Sequence, residues 1–258
     1  MQAKSLLFVL LAAIVAVPSV AAELVVAGST TVQKRILEPG AAGLKSATGI
    51  EVKVQGVGTG KGMIALAEGK VTVAAASESL NEAIDSAKKA AADSGKSYTP
   101  SANLKFHKLY TDSIVVIVNK DNSVGTLSKD QLKAINSGKV KNWKEVGGPD
   151  MPIKVITSHA GSATRNVFQK QVMDGANYVD GVTEVRTTRE EINEVSKDKG
   201  AIGAVSEGFY ALNKGSAKLV KAPSITRPLA LITDGEASAD VKKVIDFFVS
   251  GAGKGLID

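Results

Sequence analysis

One alternation narrows the fold more than any other feature of the chain. Short runs rich in Val, Ile and Ala recur: "ELVVAG" from Glu23, "IEVKVQG" from Ile50, "KVTVAAAS" from Lys70, "SIVVIVN" from Ser113, "PIKVITS" from Pro152 and "AIGAVS" from Ala201. Between them lie segments with apolar residues at helical spacing, the clearest being "NEAIDSAKKAAADSGK", which sets Ala83, Ile84, Ala87 and Ala91 on one face. Further helices are expected in "SKDQLKAINSG", "SATRNVFQKQVM", "TTREEINEVSKDKG" and "ASADVKKVIDFFVSG". The segment "TVQKRILEPGAAGLKSATG" also reads as helical, with an interruption near Pro39. Strands that alternate with helices build a mostly parallel sheet covered by helices, so the fold class is α/β. "SIVVIVN", apolar without a break, belongs at the centre of that sheet.

The first 22 residues stand apart. Lys4 precedes the apolar run "LLFVLLAAIVAV" and the small-residue stretch "PSVAA", the pattern of a secretory signal peptide cleaved after Ala22. The apolar run is shorter than the ~20 residues that span a bilayer. The remaining chain, about 236 residues, is long enough for one large domain or two lobes with separate cores.

There is no cysteine, which excludes disulfides, thiol nucleophiles, thiolate metal sites and a lipid-modified terminal cysteine. A soluble periplasmic protein fits these constraints. The formal net charge of +6 comes from scattered lysines and favours anionic ligands by weak steering. With only 4% aromatic residues, the chain lacks the stacking platforms of a nucleic-acid binder.

"GVGTGKGM", residues 56–63, follows a strand and opens a helix, the place where backbone N–H groups hold phosphate. It is not a Walker loop, because Gln55 stands where the first glycine belongs and Gly62 where the magnesium-binding hydroxyl belongs. Nor is it a dinucleotide fingerprint, since Lys61 replaces the third glycine. Two more junctions have the same composition: "AGSTTV" (27–32) and "SHAGSATR" (158–165). Any one of them could simply cap its helix. Three at the carboxyl ends of strands, where ligands of open α/β sheets bind, point to a small oxyanion held by neutral donors.

With these pieces in order, the chain resembles the phosphate-type periplasmic solute-binding proteins of ABC importers. The resemblance is carried by "GSTTV", "GVGTGKGMIAL", "DSIVVIVNKDNSV", "LSKDQLKAINSGKVKNWKEVGGPDMPI", "GSATRNVF", "KGAIGAVSEGFY" and "ITRPLALITDGEASADVKKVIDFFVS". It implies a two-lobed clamshell of the type II periplasmic-binding-protein class, each lobe a mixed, mostly parallel sheet flanked by helices. Lobe one would comprise residues 23–112 and 221–258, and lobe two residues 113–220, with the chain crossing near Asp112. Phosphate would be bound in the cleft by a monomer that delivers it to a membrane permease and ATPase. No cofactor, metal or catalytic residue is implied.

By position, Ser29, Thr30 and Thr31 match the family's first anion loop, Thr59 and Gly60 its second, and Ser162, Ala163 and Thr164 its third. The chain departs from the family in two places. In "AASESL", Ser77 and Glu78 stand where the family commonly has Ser followed by Asp or Arg. An acid there would accept the proton of hydrogen phosphate and reject sulfate. Ser158 stands where the family has an arginine, leaving Arg165 either to substitute for it or to pair with a carboxylate elsewhere.

His159 is read as a surface-loop residue or a low-pH anion donor, His107 as lying at a strand edge, and Trp143 as a packing anchor. No nucleophile elbow and no histidine cluster favours an enzyme. The alternative to phosphate transport is capture of another oxyanion, or an accessory or sensory role.

Overall fold

A computed structural model of the chain describes residues 22–160, 162–250 and 252–256. The expected signal segment lies outside the described residues apart from Ala22, which opens the first strand.

The first half begins with β1 (Ala22–Gly28), α1 (Thr30–Val32), a π-helical turn (Gln33–Leu37) and α2 (Glu38–Thr48). It continues with β2 (Ile50–Gln55), α3 (Thr59–Ala67), β3 (Val73–Ala76) and α4 (Leu80–Ala92). A long strand, β4 (Leu104–Asn119), leads into α5 (Lys129–Asn136), β5 (Lys154–Ser158), α6 (Ala163–Gln171), β6 (Thr183–Val185) and α7 (Thr188–Lys197). Then come β7 (Ala201–Ser206), α8 (Glu207–Leu212), the long β8 (Ala217–Asp234) and α9 (Ala239–Ser250).

The strands form one mixed sheet in the order β2-β1-β3-β8-β4-β7-β5-β6. Its outer parts are parallel, β1 with β2 and β3, and β5 with β6 and β7. The middle is antiparallel, because β4 and β8 run against each other and against β7 and β3.

Strand periodicity places the core on both faces of this sheet. At one end Val26, Val73 and Ala75 pack with Ile36, Leu44 and Phe248, while the alternate residues Ala27, Ala74 and Ala76 pack with Met63 and Ala87. At the other end Val116 and Val118 join Trp143 and Phe168, and Ile117 joins Ile192 and Val205. Trp143 is fully buried and its Nε1 donates to Gly200 O at 2.9 Å, an anchor as expected. The register of β4 with β8 jumps between Ile114 and Val116, where Ile225 and Val220 are the facing residues, so β8 bulges over 221–224.

Two expectations are corrected, and His107 is placed. The helix over Pro39 is not interrupted: the π-helical turn brings Glu38 N to Gln33 O and places the proline in the first turn of α2, where a missing N–H is tolerated. His107 lies in β4 opposite Leu231, with Nε2 3.0 Å from Thr233 Oγ1, in the part of the strand that pairs with β8 alone, since β7 joins β4 only from Ile114 onward. The strand read at 113–119 begins nine residues earlier, at Leu104, in a stretch whose lysines hide the pattern.

Candidate functional site

Two glycines explain how the first two loops meet. Gly58, at φ +90°, turns the chain into α3, and its N–H donates to Gly28 O at 2.8 Å. A Cβ on Gly62 would stand 2.5 Å from both Ala27 O and Gly28 Cα, so only glycine lets α3 lie directly on the end of β1. Ser29 N, in turn, donates to Ala75 O at 2.8 Å, tying the first loop to β3.

These loops open into a cleft of about 1020 Å³. Of the residues singled out in the sequence, Ser29, Thr30, Thr31, Thr59, Gly60 and Ser77 line it from one side. Ser162, Ala163 and Thr164, from the junction of β5 and α6, line it from the other. His159 and Ser158 also reach it.

Capping does not use up these loops equally. Ser29 Oγ caps its helix, accepting from Val32 N at 3.2 Å. Neither α3 nor α6 has a side-chain cap, so the first N–H groups of both helices, and the Ser162 hydroxyl, remain uncommitted by capping. Thr59 Oγ1 and Ser77 Oγ are buried and have no hydrogen-bond partner in the protein. A buried hydroxyl without a partner is costly unless something else supplies one.

Glu78 and Arg165 lie outside this cleft. Glu78 is buried and borders a smaller adjoining cavity with Glu82, Ser86, Asn166 and Lys170. Burial raises its carboxyl above the ordinary range, opposed by the pull of Ser86, Arg227 and Thr59, while Glu82 adds to the rise. Arg165 takes the second of its two expected roles: it pairs with Glu184, donates to Ser158 O at 3.1 Å and lies over the Tyr178 ring. At position 158 the serine hydroxyl donates to Glu191 at 2.8 Å. Glu191 is fully buried, and desolvation pushes its carboxyl up to about 7 against the bonds from Ala204 N and Ser158.

Sequence reasoning missed a fourth junction. The short strand β6 runs into "RTTRE", and Arg186, Thr187, Thr188 and Arg189 at the start of α7 line the cleft. The signal was present: Thr187 caps Glu190 N at 3.2 Å, an ordinary Thr-x-x-Glu start. Lys34, Lys61 and Lys89 line the cleft as well, against the single carboxylate of Asp93. The walls therefore carry an excess of positive charge over a floor of hydroxyls and backbone donors, an arrangement made for an anion.

An α/β fold with four strand–helix junctions converging on one anion-attracting cleft defines a binding protein. The chain belongs to the PBP superfamily domain family, whose model matches residues 15–252. It is 29% identical over 195 residues to the phosphate-binding protein PstS of Bacillus subtilis (strain 168), a match covering 75% of this chain and 60% of that protein.

Among solved structures it is similar to a putative phosphate ABC transporter substrate-binding protein with bound phosphate from Clostridium perfringens. That likeness has 26% identity, a TM-score of 0.75 and coverage of 91% of this chain and 96% of the other. It is also similar to an ABC-type phosphate transport receptor from Vibrio cholerae, with 26% identity, a TM-score of 0.70 and coverage of 92% and 97%. The resemblance noted in the sequence and its fold class hold, and these relatives are binding proteins and receptors rather than enzymes.

Proposed function

We propose that this chain captures inorganic phosphate in its cleft and delivers it to an ABC importer in the inner membrane. The observation that carries the reading is the convergence of uncapped helix N-termini and unpartnered hydroxyls from separate loops on one cationic cleft. Ser29, Thr30, Thr31, Thr59, Gly60 and Ser77 would meet the anion from one side, and Ser162, Ala163 and Thr164 from the other. Several bonds to a charged group, each worth about 1.5–3 kcal/mol, offset its desolvation and leave a micromolar affinity, about −8 kcal/mol. Glu78, in the adjoining cavity next to Ser77, would accept the proton of hydrogen phosphate and so favour it over fully ionised sulfate.

The division into lobes, 23–112 with 221–258 and 113–220, is part of the same reading. Core clusters that draw on residues 24–109 and 229–248 at one end and on residues 114–225 at the other support the division, with the return crossing after Ile225 rather than at 221. The two crossing strands and the β8 bulge at 221–224 would form the hinge. The importer role is supported by the names of the two structural relatives. Periplasmic release follows from reading residues 1–22 as a signal peptide. Among the described residues no helix is long and apolar enough to cross a membrane.

One observation favours a second reading, capture of a different oxyanion: position 158 carries no cation, and its hydroxyl is bound to Glu191. Calorimetry with phosphate, arsenate, sulfate and molybdate at two pH values tests both. Phosphate capture requires micromolar or tighter binding with no response to sulfate at neutral pH. A tighter complex with molybdate or sulfate would overturn phosphate in favour of the second reading.

A further inference from the structure

Arg227 sits in β8 where that strand crosses between the two ends of the sheet, opposite Asp112 in β4. Its side chain is almost wholly buried. The guanidinium is bound to Asp112 through Nε at 3.0 Å and Nη2 at 2.9 Å. That carboxylate also accepts from Arg35 Nη1 and from Ser206 Oγ, each at 2.8 Å. One carboxylate thus divides its charge between two guanidiniums, and Arg227 Nη1 has no hydrogen-bond partner in the protein. An unpaired donor on a buried cation is among the costliest groups an interior can hold.

Its surroundings indicate what the cost serves. Among the described residues the buried side-chain atoms without a partner are Arg227 Nη1, Thr59 Oγ1, Ser77 Oγ and Glu78 Oε1. They are neighbours. Arg227 Nη2 reaches Thr31 Oγ1 at 3.4 Å, Arg227 and Glu78 act on each other's charge, and Thr59 acts on Glu78. Thr31, Thr59 and Ser77 line the cleft, whose other cations stand on its walls.

We propose that Arg227 is a positioning residue for anion selectivity. Clamped by Asp112, it holds a positive charge against the underside of the first loop and orients Thr31 toward the anion. The proposal rests on the phosphate-capture reading and adds to it the source of the site's buried charge. Asp112 and Arg227 thereby link the crossing strands to the ligand.

The test uses the full chain with inorganic phosphate and sulfate as probes, measuring calorimetric affinity and the melting temperature without ligand. R227M is expected to weaken phosphate binding at least about tenfold and to narrow the phosphate-to-sulfate ratio. Its unliganded melting temperature should fall, since Arg35 and Ser206 hold Asp112 Oδ1 and leave Oδ2 buried without a partner, so affinity is read at a temperature where the variant is folded. R227K, which keeps the charge, should recover part of the affinity. R227M that binds phosphate within about twofold of the wild type overturns the proposal and leaves phosphate capture standing. A wild-type chain that binds no phosphate overturns both. Should R227M fail to fold, R227K combined with T31V decides. Losses smaller than the product of the single losses support the coupling, and losses that multiply overturn it.

Discussion

Thr59→Val separates binding from folding because it should move them in opposite directions. Thr59 opens α3, is only 5% exposed, and its Oγ1 stands near enough to the Glu78 carboxyl to act on it but makes no well-formed hydrogen bond in the protein. Valine keeps the branched shape and nearly the same helix propensity, so the change removes one hydroxyl and little else. Without ligand, deleting a buried unmatched hydroxyl should stabilise the protein by about 1 kcal/mol. With phosphate, the same deletion removes a bond to a charged group worth about 1.5–3 kcal/mol, a loss of roughly 10- to 150-fold in affinity. Urea melts of the unliganded protein and calorimetric titration with phosphate give the two numbers. Unchanged affinity beside a stability gain would show that the hydroxyl faces no anion. A loss of stability would show that it is partnered before any ligand arrives, and the reasoning would fail at its first step.

Other perturbations have equally definite signs. Gly62→Ala should destabilise by about 1–3 kcal/mol and weaken phosphate binding without removing a donor, because its Cβ meets Ala27 O and Gly28 Cα at 2.5 Å; a neutral urea midpoint would refute this. Glu191 has a folded pKa of about 7 against an ordinary 4.5, so its favourable contribution is complete below the ordinary value and disappears as pH rises through 7. Glu191→Gln should therefore match the wild type near pH 4 and exceed it at pH 8 by up to about 3 kcal/mol, as read from paired melts. Because burial raises the Glu78 carboxyl, sulfate affinity should climb as pH falls and this site gains its own proton. Glu78→Gln should abolish that climb and erode the preference for phosphate; a pH-independent wild type would dismiss the role.

What was legible in the sequence was whatever local pattern determines. Period-two and period-3.6 runs located β1, β2, β5 and β7 and the helices α4 to α7, and the composition of the Gly, Ser and Thr junctions marked three of the four loops at the cleft. Less legible were features fixed by distant partners. β8 was read only as part of the family pattern, because Pro223 and Pro228 interrupt its strand signature and its pairing with β4 joins residues about a hundred or more positions apart. β6 has three residues, too few for any periodicity, so the helix start at Thr187 could be read but not the strand that makes it a junction. Nothing in the local pattern singles out Arg227, since its burial depends on Asp112 from another strand. The two alternatives for Arg165 were separable only once Glu184 and Tyr178 were placed beside it.

The crossing between the two ends of the sheet is a pair of strands hydrogen-bonded to each other, not a pair of slack tethers. A ribbon of that kind resists stretching and shear but yields to twist, and β8 adds a local bend and extra twist where it bulges opposite Val115. Relative motion of the two ends should accordingly follow one torsional coordinate with a restoring torque.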